Sequence, residues 1–200
     1  MSDIYKILDN IQVRGGLSPE YCEKMVHEIP KAQCVDRAEF VLGRCKDKVV
    51  LHIGCIGPLH AELVRVAGKA YGIDREPADG CENFYQIDLD RAECLPELSD
   101  LDLVLCGEML EHLSNPGHFL DLVKAYGCDI IITVPNAFSA VGFSWANRGT
   151  EIVNREHVAW YSWHTLKTLV ERHGYHIKEF YWYGGKPIVS EGLIVVMGRE

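Results

Sequence analysis

A mostly parallel α/β sheet with helices on both faces, closed by a C-terminal antiparallel hairpin, is the fold class that three features predict. Short apolar runs recur at 49–53, 70–73, 84–87, 103–106 and 130–134. Most are continuous rather than alternating, as in strands buried on both faces. Helical stretches lie between several of them, and that alternation implies parallel pairing through right-handed crossovers. Finally, 177–183 and 193–197 are strand-like and flank Gly184-Gly185, Pro187 and Gly192, which reads as a hairpin.

The elements follow in chain order. Residues 1–46 are predicted helical. Ser18 caps a first helix, with Pro19 in its first turn and Glu20 favourable to the dipole. Tyr21, Met25, Val26 and Ile29 recur at helical spacing until Pro30. A second helix over 33–43 carries Val35, Ala38, Phe40, Val41 and Leu42. The first strand, 49–53, stops at a Gly54-x-x-Gly57 turn, and an apolar helical run follows over 59–66. Ser114-Asn115-Pro116 starts a helix with Phe119, Leu120 and Val123 inside. Ser162 caps another with Leu166, Leu169 and Val170 inside, and Gly174 stops it. Residues 137–161 are aromatic and irregular, the character of a lid or binding loop.

Composition narrows the function. Two hundred residues with 48% apolar content suit one globular domain that buries about 70% of its unfolded surface. No apolar stretch approaches the ~20 residues of a membrane span, and the N-terminus lacks a signal-peptide pattern, so a cytoplasmic location without membrane insertion is expected. The eight cysteines include no Cys-x-x-Cys pair and read as small buried hydrophobes. A net charge of −9 without a Lys/Arg cluster gives no basis for nucleic-acid binding.

The chemistry concentrates at strand ends. Twenty residues past Gly54, at the end of the second apolar run, stands Asp74. A buried strand, a glycine turn where backbone meets a ligand, and a carboxylate for a ribose hydroxyl form the pattern of a nucleotide-type cofactor site. Asp88-Leu89 after the third run offers an acceptor beside an apolar face, as an adenine requires, or a turn cap. The fourth strand opens at Gly107 into Glu108-Met109-Leu110-Glu111-His112-Leu113. His112 is a candidate general base; alternatively Glu111 and His112 hold the loop by hydrogen bonds. His157, Trp160 and Tyr161 offer aromatic faces for an acceptor or anchor a lid. His60 follows the turn closely enough to reach the crevice. His27, His118, His164, His173 and His176 show no metal spacing, and no metal site is expected.

Residues 35–183 resemble class I S-adenosylmethionine-dependent methyltransferases, most nearly the small methyltransferase group associated with polysaccharide and sugar modification. The resemblance rests on Gly54–Gly57, Asp74, Asp88-Leu89, Glu108–Leu113, Val134-Pro135-Asn136 and His157–Ser162. It implies a Rossmann-like, seven-stranded methyltransferase sheet with S-adenosylmethionine as cofactor. It also implies cofactor contacts from His52, Gly54, Cys55, Ile56, Gly57, Asp74, Arg75, Asp88, Leu89, Cys106, Gly107 and Glu108. Candidate catalytic residues are His112, His157 and Glu108. Residues 1–200 then read as one domain: helices over 1–46, a cofactor-binding half over 47–135, an acceptor loop over 137–161, and a last helix and hairpin over 162–200. The first motif departs from the family, which usually has an acid at His52 and glycines at Ile56 and Pro58. Either the loop is shifted, with Gly57 in the glycine's role, or cofactor binding is weakened.

Three functions therefore remain open. The first is methyl transfer to a small hydroxylated acceptor, such as a sugar of a surface polysaccharide. The second is a methyltransferase fold that binds its cofactor weakly and does no chemistry. The third, an NAD-type oxidoreductase, is disfavoured by the missing Gly-x-Gly-x-x-Gly pattern and the terminal hairpin. The exposed aromatics of 137–161 offer a surface for a homodimer.

Overall fold

In a computed structural model the described residues are 24, 26–78 and 82–199. The chain divides into two compact units, 1–30 and 31–200. The first lies almost wholly outside the described residues, and with it the helix capped by Ser18.

The second unit is built on one eight-stranded sheet. Its strands are β1 (Cys34–Val35), β2 (Val49–Ile53), β3 (Lys69–Asp74), β4 (Phe84–Gln86), β5 (Leu103–Gly107), β6 (Asp129–Pro135), β7 (Tyr175–Tyr183) and β8 (Gly192–Arg199). They stand in the order β1-β7-β8-β6-β5-β2-β3-β4. Pairing is parallel from β6 through β5, β2 and β3 to β4, and antiparallel where β8 meets β6 and β7. The apolar runs thus form the predicted parallel core and the terminal hairpin. Val50, Leu51, Ile53, Val104, Leu105, Ile132, Ile194 and Val195 are fully buried.

The eighth strand is a correction. Residues 34–35 pair parallel with Trp182 and Tyr183 of β7 instead of opening a helix. The helix begins later, as α1 (Arg37–Cys45), because the Asp36 side chain accepts a hydrogen bond from the Glu39 N–H at 2.8 Å and ends the extended segment. The remaining helices are α2 (Pro58–Val66), α3 (Pro116–Val123), α4 (Ala140–Ala146) and α5 (Trp163–Arg172), with 3-10 turns at Leu110–His112 and Lys124–Tyr126. Asn115 caps α3, and Ser162 caps α5 in a reciprocal capping box with Thr165. Gly174 closes α5 at φ +76°, the left-handed conformation expected of a helix stop.

Helix α4 falls inside the stretch read as irregular. Ser139 caps it, yet it has only seven residues, none of them buried, and its apolar side chains Val141, Phe143 and Trp145 are exposed, so it shows no polar face set against an apolar one. Cys45, Cys55 and Cys106 are buried as expected; Cys34 and Cys94 are exposed, which corrects the reading of all cysteines as core. The six described cysteines are free. Among the described residues no helix is long and apolar enough to cross a membrane.

The topology also locates the site. β3 and β5 flank β2 on opposite sides, so the chain leaves β2 in one direction and returns on the other. In open parallel sheets the crevice for ligands forms at the C-terminal ends of strands around such a switch.

Candidate active site

A cavity of about 270 Å³ occupies that crevice, walled by Gly54, Asp74, Asp88, Leu89, Met109 and His112 among others. Gly54 leaves β2 at φ +71°, and a β-carbon there would stand 3.2 Å from the Met109 sulfur. Only glycine fits both the dihedral and the approach. The turn that follows hangs on Asp74. One carboxylate oxygen accepts from the Ile56 N–H and the other from the Glu76 N–H, each at 3.1 Å. Each oxygen keeps capacity for a further donor, and Asp74 lines the cavity. Asp88 accepts from the Asp90 N–H at 3.1 Å, and Asp90 in turn accepts from the Ser114 N–H at 2.8 Å, fixing the approach to α3.

His52 does not reach this cavity. It is buried beneath the turn, its Nδ1 3.1 Å from Nδ1 of His60 on α2. At that distance one ring donates and the other accepts, so the two cannot both be protonated. Burial is the main cause that pulls His52 down to about 3, with His60 adding to it, and burial also lowers His60. The expected grip of His52 on a ligand, and the reach of His60 into the crevice, are thereby replaced by a closed pair. Gly72 on β3, the register partner of His52, leaves room mainly for Cys55: a β-carbon there would sit 2.6 Å from the Cys55 sulfur and in ordinary contact, 3.5 Å, with the His60 ring.

At the other end of the cavity, Glu108 sits at φ +53°, strained for a non-glycine residue. One of its carboxylate oxygens accepts from the Thr133 hydroxyl at 2.8 Å and the Tyr183 hydroxyl at 2.7 Å, with the Arg37 guanidinium at 3.5 Å. Burial and the Glu108 charge push the Tyr183 hydroxyl far up, so it stays a donor. This network suits a group that holds the loop more than one that carries protons. Arg37, Thr133 and Tyr183 carried no sequence signal, because each reaches Glu108 only through the fold.

Beyond it the 3-10 turn presents Glu111 and His112. The loop-holding role foreseen for these side chains belongs instead to the Glu111 main chain, whose carbonyl accepts from the Val158 and Ala159 N–H groups at 2.9 and 3.3 Å. This docks His157 beside the turn. The His112 and His157 rings meet edge to face, 4.6 Å between centroids. The Glu111 side chain is 1% exposed, and neither oxygen has a hydrogen-bond partner among the described residues. Desolvation first, then the nearby Glu108 charge, pushes its carboxyl up to about 8. His157 is lowered, mainly by burial.

Of the sequence-predicted residues, Gly54, Ile56, Asp74, Arg75, Asp88, Leu89, Glu108 and His112 line the cavity. His52, Cys55, Gly57, Cys106, Gly107 and His157 do not. Cys106 is buried in β5, Cys55 is buried in the turn after β2 and with Gly57 borders the depression on the α2 side, and the His157 ring packs on His112. Ile56 is half exposed at the mouth. Opposite it, Arg75 reaches across to Glu156 at 3.0 Å.

Comparison with known proteins agrees with this fold. A family model described as "Methyltransferase domain" matches residues 25–179. No curated protein matches the chain. Among solved structures, the small RNA methyltransferase HEN1 superposes with a TM-score of 0.66 at 18% identity; the match covers 88% of this chain but only 27% of that one. A SAM-dependent methyltransferase from Archaeoglobus fulgidus gives 0.60 at 18% identity, covering 81% and 94% of the two chains. Magnesium protoporphyrin IX methyltransferase from Synechocystis PCC 6803 with bound SAH gives 0.58 at 15%, covering 82% and 81%.

Proposed function

The chain belongs to the methyltransferase-domain family, and we propose on that premise that it transfers a methyl group from S-adenosylmethionine to a small hydroxylated acceptor. The observation that carries the reading is the switch-point cavity, with Asp74 anchored at one side and His112 at the other. The residues fit the cofactor. Asp74 has lone pairs left for ribose hydroxyls, and Asp88 with buried Leu89 suits the edge and face of an adenine.

Bound S-adenosylmethionine supplies an electrophilic methyl group. The protein must align the acceptor oxygen, exclude water and provide for one proton. Glu108, locked by Thr133 and Tyr183, fixes the loop that carries His112. His112 on the cavity wall, backed by His157, is placed to take the proton. Residues 137–161 are read as the acceptor loop. Phe138 and Phe143 stack with 2° between their planes, and a cavity of about 330 Å³ runs between α4 and Trp160. Such faces suit a sugar ring, which supports a sugar of a surface polysaccharide as the acceptor. A cytoplasmic location and a homodimer through the exposed aromatics complete the reading.

The test is transfer of label from methyl-labelled S-adenosylmethionine to a panel of sugars and small phenols, with NADH titrated in parallel. Label on a hydroxyl, and no NADH binding, is the expected result. Tight NADH binding without S-adenosylhomocysteine binding would overturn the reading. Cofactor binding with no label on any acceptor would favour a non-catalytic module, for which the closed His52–His60 pair is the structural motive.

A further inference from the structure

We propose that Glu111, His112 and His157 form a binding site for one divalent first-row transition-metal ion behind the His112 wall of the cavity. The spacing of these residues in the sequence gave no hint of it.

The donor set comes first. One carboxylate and two imidazoles suit Mn²⁺, Fe²⁺, Co²⁺ or Zn²⁺, whereas Mg²⁺ and Ca²⁺ favour all-oxygen surroundings. One ligand atom from each of the three residues lies within 4.8 Å of the other two. Two ligands on a common ion stand up to about 4.4 Å apart, twice a bond of ~2.2 Å. The Glu111 Oε1–His157 Nε2 separation of 3.9 Å already meets that, and the rest need a contraction of only a few tenths of an ångström.

Burial supplies a second, independent observation. Glu111 is 1% exposed and aimed into this cluster, with neither oxygen hydrogen-bonded among the described residues. A carboxylate buried without a partner is strongly disfavoured. Protonation removes the charge but leaves a hydroxyl with no acceptor. A cation held by Glu111 and the two imidazoles satisfies the carboxylate directly.

The cluster is also preorganised. Glu111 and His112 are adjacent on one 3-10 turn, and the Val158 and Ala159 N–H groups dock the His157 segment on the Glu111 carbonyl. The ligands are thus brought together by backbone hydrogen bonds, independently of any ion.

A role follows, and it rests on the methyl-transfer reading. An ion behind that wall fixes the His112 ring against the cavity, and the acceptor hydroxyl aligned there loses its proton to solvent water. The oxygen–carbon bond then forms as the sulfur–carbon bond of the cofactor breaks, and the ion keeps its oxidation state. In the metal-loaded chain His112 and His157 are ligands, so the proton that His112 is placed to take in the metal-free chain passes to solvent instead.

The experiment strips the full chain with chelator and titrates it with Mn²⁺, following the free-ion electron paramagnetic resonance signal, with Zn²⁺ as competitor. Wild type, Glu111→Gln and His157→Ala are compared, and melting curves confirm which variants fold. The expected result is one Mn²⁺ per chain, displaced by Zn²⁺ and weakened at least about tenfold in His157→Ala. No binding of either ion at millimolar concentration, or undiminished binding in both variants, overturns the site. S-adenosylhomocysteine affinity measured on the same stripped samples tests the methyl-transfer reading separately, since loss of one leaves the other standing.

Discussion

Beneath the Gly54 turn, His52 and His60 are 3% and 5% exposed and satisfy each other across 3.1 Å; at the far end of the cavity, Glu111 is 1% exposed and its carboxylate has no hydrogen-bond partner among the described residues. The two ends share a sheet and a degree of burial, yet they treat polar groups in opposite ways. A closed pair is part of the scaffold and explains itself. An orphaned carboxylate is a cost the fold carries for something outside the scaffold. The odd residue of the first motif therefore speaks of architecture, and Glu111, which the sequence offered only as a holder of the loop, speaks of chemistry.

At neutral pH the largest effect should come from breaking the scaffold end. Gly54→Val places a branched residue at φ +71° and drives its β-carbon against Met109. A cost of roughly 4 kcal/mol is expected from strain and contact together. Calorimetry should show S-adenosylhomocysteine binding lost; retained affinity would mean that the turn is no wall of the site.

Next is the pH response of the closed pair. The folded-state value of His52 is depressed from about 6.5 to about 3, and that of His60 is also lowered. Stability is therefore complete above pH 6.5 and lost as pH falls toward 3, because the unfolded chain binds the protons first. The loss should approach about 5 kcal/mol once pH nears 3. Replacing both histidines by leucine should flatten the acid limb of the melting curve; an unchanged limb would show that they are not buried neutral.

A smaller effect tests the rim. Asp74→Asn keeps size and one acceptor but removes the charge that the Ile56 and Glu76 N–H groups face. A loss of about 2 kcal/mol, some thirtyfold in S-adenosylhomocysteine affinity, is expected. The smallest concerns the exposed Arg75–Glu156 bridge. Glu156→Gln should cost under about 1 kcal/mol and shift the melting temperature by no more than a few degrees. A large shift would mark the bridge as a structural clasp over the cavity.

The strands and the hairpin were legible because burial on both faces writes itself as continuous apolar runs. The caps at Asn115 and Ser162 were legible because capping is local. β1 was not, since two residues draw their pairing from Trp182 and Tyr183 far along the chain. α4 was not, since nothing on it is buried. In the cavity, Gly54, Asp74 and Asp88 could be placed from strand ends alone. The partner of His52 could not, although His60 was in view, because which histidine is closed and which is open depends on how α2 packs on the sheet. Arg37, Thr133 and Tyr183 converge on Glu108 from three distant elements and leave no spacing to read.

The central claim is that the cavity at the ends of β2, β3 and β5 binds S-adenosylmethionine through Asp74 despite the buried His52. Titration of the full chain with S-adenosylhomocysteine in a calorimeter, wild type beside Asp74→Asn, tests it most directly. The expected result is a single site per chain with micromolar affinity in the wild type and a drop of about thirtyfold in the variant. No heat at millimolar ligand, or equal affinity in the two proteins, would contradict it.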